Sequence, residues 1–93
     1  MITLLDQQTP DEIALATAQR VRARRKEQGF TQTQLSAKSG VSLGSLKRFE
    51  REGYVSFSSL IKIAIALGCE ADFAELFAKR GYSSIQEVID ERR

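Results

Sequence analysis

An all-α bundle of five or six helices is the fold class this sequence predicts, and three observations predict it. Capping signatures stand at Thr9-Pro10-Asp11-Glu12 and Thr31-Gln32-Thr33-Gln34, glycines at 29, 40, 53, 68 and 81 punctuate the chain at helix-length intervals, and apolar residues between them recur every three or four positions. Ninety-three residues suffice for one domain, because a chain this short buries only about 60 to 65% of its unfolded surface around a single core.

The first helix starts with Thr9 as its N-cap, proline in the first turn and Glu12 closing a capping box. It should run to about Gln28, with Ala14, Ala18, Val21 and Arg25 on one narrow face and Gly29 as its stop. A second helix of barely two turns starts at Thr31 and ends before Gly40; Leu35, with Ala37 or the stem of Lys38, would face inward. Ser42 caps the third, whose inward pair is Leu46 and Phe49 and which stops by Gly53. Ser56 caps the fourth, FSSLIKIAIAL, which is apolar almost all round. Its expected core stripe is Phe57, Leu60, Ile61, Ala64 and Leu67, which leaves Ile63 and Ile65 for a second surface: the following segment 71–77 or another subunit. After Gly81, Ser84-Ile85-Gln86-Glu87 offers a last capping box, with Ile85, Val88 and Ile89 on one face of a terminal helix; a short strand is the alternative. No internal repeat or proline-rich linker interrupts this series. The organisation expected is a domain over 1–80 that includes a dimerisation helix, and a tail or partner-docking helix over 81–93.

Composition narrows the function. Hydrophobic residues are 42% and charged residues 28%, ordinary for a water-exposed globular chain, and no apolar run approaches the roughly 20 residues needed to span a bilayer. The start MITLLDQQTP lacks a basic n-region and a cleavage site, so the expectation is a cytoplasmic protein with no membrane association. With no histidine and only Cys69, the sequence offers little for a metal site or an imidazole-based catalyst, and no nucleophile-base pattern appears. No enzyme activity, metal or cofactor is expected; Cys69 reads as a small residue buried near a helix end. The net charge is only +2, but residues 20–51 hold nine basic side chains against two acidic ones, giving +7, while the remainder holds five against ten, giving −5. That asymmetry suits one face for a polyanion and another for something else.

The spacing Phe30-Thr31-Gln32-x-x-Leu35-x-x-x-x-Gly40-Val41-Ser42-x-x-x-Leu46-x-x-Phe49-Glu50 is that of a helix-turn-helix. Over about residues 17 to 68 it resembles the Cro/XRE, lambda-repressor-like family of DNA-binding domains. An α-helix fits the major groove of B-DNA and reads base edges from its first turn. If the helix after Ser42 is that helix, Ser42, Leu43, Gly44, Ser45, Lys47 and Arg48 are left toward the groove or its walls. Leu43 could pack on a thymine methyl, or meet a protein; Gly44 could admit the bases to the backbone, or merely loosen the helix. Arg48 and Lys47 can donate to guanine O6/N7 or to phosphate, Arg48 being the better bidentate candidate. Ser45 could bond either, and Ser42 is a cap first and a phosphate contact second.

The resemblance implies more. Gln32 matches the glutamine that grips a phosphate in the family, and Arg25 with Glu50 matches a structural ion pair tying the first helix to the third. For Arg22, Arg24 and Lys26, phosphate contact and simple solubility both remain open. Tyr54 and Tyr82 read as packing residues. The segment Arg51-Glu-Gly-Tyr-Val55 lacks the proline common before the fourth helix of the family. Within the family, SLGSLKRFE, SFSSLIKIAIALGC, ADFAELF and YSSIQEVID look like HipB-type antitoxins, whose relatives are encoded beside HipA-like toxin kinases. The partners implied are a double-stranded DNA operator, a second copy of the chain in a homodimer, and a HipA-like kinase. Ile63, Ile65, Phe73, Leu76 and Phe77 form the expected dimer seam, although Phe73 could equally be ordinary core.

Overall fold

The computed structural model describes residues 8–81 of the chain; the expected terminal helix, with Tyr82, Ile85, Val88 and Ile89, lies outside the described residues. Five helices and no strand occur among the described residues: α1 (Pro10–Glu27), α2 (Gln32–Ser39), α3 (Leu43–Glu52), α4 (Phe57–Leu67) and α5 (Asp72–Glu75). This is the arrangement of a lambda-repressor-like bundle, with α3 lying chiefly against α1, and α2 packed on both α3 and α4.

The helix starts form as the sequence dictates. Thr9 accepts from the Glu12 N–H at 3.1 Å while the Glu12 carboxylate accepts from the Thr9 N–H at 3.1 Å, so two donors at the start of α1 find partners. Thr31 and Gln34 repeat the reciprocal pair at α2. Ser42 and Ser56 accept from the third N–H of α3 and α4. The stops are mostly glycine: Gly40, Gly53 and Gly68 each end a helix with positive φ. Gly53 is the most constrained, because a Cβ there would sit 2.8 Å from the Ala14 carbonyl carbon and the Leu15 nitrogen, so the turn after α3 presses directly on the α1 backbone.

The core draws one or more residues from each of the first four helices: Ala18, Leu35, Leu46, Phe49, Ile63, Ala66 and Leu67, with Val41 from the turn between α2 and α3. Full burial of Phe49, Leu35, Leu46 and Ile63 contributes about 1.5–3 kcal/mol each. Ala37 and Lys38 are both exposed; the Lys38 ammonium rests over the Phe30 ring, 4.6 Å from its centroid.

Two expectations for α4 are corrected. Ile63 is 0% exposed, which removes it from any dimer seam, and Phe57, expected in the core, is 59% exposed. The cause is common to both. In a helix apolar on nearly every side the period no longer marks the inner stripe, and the neighbours choose it. Here α2 and α1 cover Ile63, Ala64, Ala66 and Leu67, while Phe57 lies in the first turn and meets Phe73 edge-on, with ring centroids 5.6 Å apart. The segment 71–77, one of the two covers left open for α4, is helical only over four residues: Ala71 supplies no side-chain cap, Leu76 is extended, and Phe77 has φ +59. Phe77 is left 94% exposed and Ile65 55%.

Candidate nucleic-acid interface

The orientation of α3 is set by a short turn and one charged cluster. In the turn, Gly40 takes the left-handed conformation and returns its N–H to the Ser36 carbonyl at 3.0 Å. The Ser36 hydroxyl donates to the Val41 carbonyl at 2.6 Å, and the Val41 N–H donates to Ser39 Oγ at 3.1 Å. With Val41 itself buried, the exit from α2 is bonded on its polar side and packed on its apolar side.

The cluster centres on Glu50. Arg25 donates through Nε to Oε2 at 2.7 Å and through Nη2 to Oε1 at 2.8 Å, a bidentate fork, and its Nη1 donates to the Phe30 carbonyl at 2.8 Å. Gln32 Nε2 donates to Glu50 Oε1 at 3.0 Å, and Arg22 Nε stands 3.7 Å from the same oxygen. One carboxylate thus fastens α1, the start of α2 and α3 together. Burial by itself pushes the Glu50 carboxyl up, but the hydrogen bonds from Arg25 and Gln32, with the charges of Arg25 and Arg22, outweigh it and hold the group below the usual glutamate value. Among the described residues, every buried side-chain nitrogen or oxygen has a partner.

Opposite this locked face, Gly44, Ser45, Lys47 and Arg48 are exposed. Leu43 is half-buried, so less of it is offered outward than the sequence suggested. Ser42 Oγ accepts the Ser45 N–H at 3.2 Å and donates to Ser45 Oγ at 2.9 Å, which spends its only proton; Ser45 keeps its own proton for an outside acceptor. A Cβ added at Gly44 would meet nothing within 4 Å. Gln32 serves Glu50 with one amide donor and retains a second, beside the N–H groups at the start of α2 that have no acceptor within the helix. Of the arginines left open by the sequence, Arg22 is drawn toward Glu50 and Arg24 donates to Glu27 at 2.6 Å.

Tyr54, which the sequence reads as a packing residue, is 45% exposed and stands beside the outer side of α3. Its hydroxyl donates to the Asp11 carboxylate on the first turn of α1, and the Arg48 guanidinium carbon lies 5.7 Å from its ring centroid. The hydrogen bond and the charge of Asp11 raise the phenol above its ordinary value, so it stays protonated as a donor. Arg48 also stands 4.0 Å from Glu52, which Arg51 already binds at 2.6 Å. Ser45, Arg48, Tyr54, Val55, Ser56 and Ser59 border a shallow recess of about 400 Å³ between α3 and the start of α4. No pattern in the sequence ties position 54 to position 48; the contact depends on the course of the turn at Gly53.

Among the described residues, no helix is long and apolar enough to cross a membrane, and no group of three metal-ligating side chains gathers. Comparison with curated proteins and with solved structures returns no match. A family model described as Helix-turn-helix matches residues 21–73, from the second half of α1 into α5 and more than half of the chain. The matched span holds both halves of the Arg25–Glu50 fork, the turn at Gly40 and all of α3, and the chain belongs to this helix-turn-helix family of Cro/C1 type, a family of DNA-binding transcriptional regulators.

Proposed function

We propose that the protein is an autoregulating repressor that binds an inverted-repeat DNA operator as a homodimer, with α3 in the major groove. The observation that carries this reading is the contrast across α3: Glu50 and Phe49 fix one side, while Gly44, Ser45, Lys47 and Arg48 stand free of the core on the other. Arg48 is assigned to a base edge, with guanine O6/N7 the acceptor that suits its fork; Lys47 and Ser45 reach base or phosphate. Leu43 offers its uncovered part to a thymine methyl, Gly44 admits the backbone, and Ser42 orders the first turn. Gln32 donates its remaining amide proton to a phosphate at the start of α2, where the helix dipole favours an anion. One such helix reads few base pairs, so two half-sites about 34 Å apart are expected. The seam between copies is assigned to Ile65, Phe73, Leu76 and Phe77, because three of these are exposed apolar side chains and Phe73 with Leu76 borders a groove of about 350 Å³ between α1, α4 and α5.

A mobility shift on the DNA upstream of the protein's own coding region, over a salt series and against unrelated competitor, tests the reading. Selective, saturable binding with a steep salt slope is the expected result, and equal binding to the competitor would overturn it. In the same assay, replacing Lys47 and Arg48 with alanine should cost about 1 to 3 kcal/mol and flatten sequence preference.

The second reading is a HipB-like antitoxin whose main role is to restrain a HipA-like kinase, favoured by the exposed Leu76 and Phe77 just ahead of the acidic stretch 84–91. On this reading residues 81–93 form the docking segment. Deleting residues 82–93 should then abolish kinase binding and spare operator affinity; loss of operator affinity instead would place the segment in dimerisation.

A further inference from the structure

The Arg48 guanidinium lies over the ring of Tyr54, the first residue after the turn that ends α3. The Tyr54 ring is anchored at both ends. At its backbone, Gly53 has φ +88 and lies against Ala14 and Leu15 so closely that no Cβ fits, which fixes the turn on α1. At its tip, the phenol donates to Asp11, again on α1. Between these anchors the ring offers a face to the Arg48 guanidinium at 5.7 Å. Once its proton is committed to Asp11, the phenol has no donor for a phosphate, and what it still offers its surroundings is the ring.

We propose that Tyr54 is a positioning residue for base reading: it presets the Arg48 side chain on the outer side of α3 and so sets the sequence preference attributed to that arginine. The inference rests on the assignment of α3 as the reading helix. A free arginine side chain carries about 2 kcal/mol of rotamer entropy, much of which is lost on docking unless the side chain is ordered beforehand. A cation–π contact supplies such order without occupying an N–H group, so the fork of Arg48 stays open to a guanine edge. The alternative restraint is weaker, since Glu52 is 4.0 Å from Arg48 and already bound by Arg51. Tyr54 also borders the recess with Ser45, Ser56 and Ser59, so the preset arginine stands beside hydroxyl groups that face the same space.

The test uses the full chain and the duplex recovered by selection from a randomised pool, with affinity measured by fluorescence anisotropy on that duplex and on each of its single base-pair variants. Tyr54→Leu keeps bulk without a π face; Tyr54→Phe keeps the ring and loses the bond to Asp11. Tyr54→Leu is expected to weaken binding about two- to fivefold, the size of an exposed cation–π contact, and to relax preference only at the base pairs that Arg48→Ala relaxes. Tyr54→Phe should keep the wild-type preference, and adding Tyr54→Leu to Arg48→Ala should change nothing further. Unchanged affinity and preference in Tyr54→Leu would overturn the proposal, as would an equal loss on every duplex or the same loss without Arg48. If Arg48→Ala itself left base preference intact, the assignment of Arg48 to a base edge would fall, a result distinct from every Tyr54 outcome. Thermal melts of each variant separate loss of fold from loss of preference.

Discussion

The two faces of α3 answer to different demands within ten residues. On the inner face Leu46 and Phe49 are fully covered, and Glu50 meets Arg25, Gln32 and Arg22; on the outer face a glycine, a serine, a lysine and an arginine stand in the open, with Tyr54 and Glu52 near Arg48. The inner face spends its polar groups on one another, so changes there register as stability. The outer face keeps polar groups in reserve, so changes there register as binding. Substitutions on each side measure how cleanly the two roles separate.

The largest effect is expected at Glu50. Glu50→Ala leaves the Arg25 guanidinium buried without its partner and should cost about 3–5 kcal/mol, a large share of the roughly 5–14 kcal/mol available to a domain of this size. Replacing both with Arg25→Met and Glu50→Leu should recover most of that in urea denaturation, because the charged pair itself contributes little net. Acid repeats the experiment without mutation. Since the folded carboxyl is held below its ordinary value of about 4.5, its contribution is present above that pH and drains away as pH falls through the lowered folded value. Glu50→Gln, which has no proton to take up, should show a flatter dependence of melting temperature on pH in that range.

Gly53→Ala comes next and tests whether the turn behind α3 is as tight as the core in front of it. A left-handed alanine costs about 1–2 kcal/mol and the clash with the Ala14 and Leu15 backbone about 1–3 more, so a loss of roughly 3 kcal/mol is expected in the same denaturation assay. A loss under about 1 kcal/mol would mean that the turn lifts off α1 freely. Operator affinity measured where the variant is still folded should fall as well, because the turn carries Tyr54.

How much of this was legible depended on the kind of signal. Punctuation was the strongest: Thr9, Thr31, Ser42 and Ser56 cap as the sequence indicates, since a cap is a bond between residues three apart. The Arg25–Glu50 fork spans 25 positions and was reachable only through the family resemblance. The inner stripe of α4 was misread at Ile63 and Phe57, because a helix apolar all round carries no phase and only its neighbours assign one. The stretch after Cys69 carries no capping signature, and its helix spans only Asp72–Glu75. On the outer face the sequence supplied residue types but not their state: that Gln32 already serves Glu50, that Leu43 is half-buried and that Tyr54 faces Arg48 are consequences of packing.

The smallest effect in stability is the most discriminating between the faces. Gly44 sits in the first turn of α3, at an ordinary φ, with open space where a Cβ would go, so in the free protein Gly44→Ala should be favourable by up to about 1 kcal/mol. Nothing in the fold requires glycine there. If the position is kept open for close approach of α3 to the bases, the added methyl must push the helix out of the groove, and operator affinity should fall roughly tenfold, or about 1.4 kcal/mol, while the melting temperature rises. Opposite signs in the two measurements would separate the faces more sharply than any loss of both, since a variant that is better folded and binds worse has lost something only DNA can detect. A rise in stability with affinity unchanged would return Gly44 to an incidental glycine and leave Arg48, Lys47 and Ser45 to carry the reading.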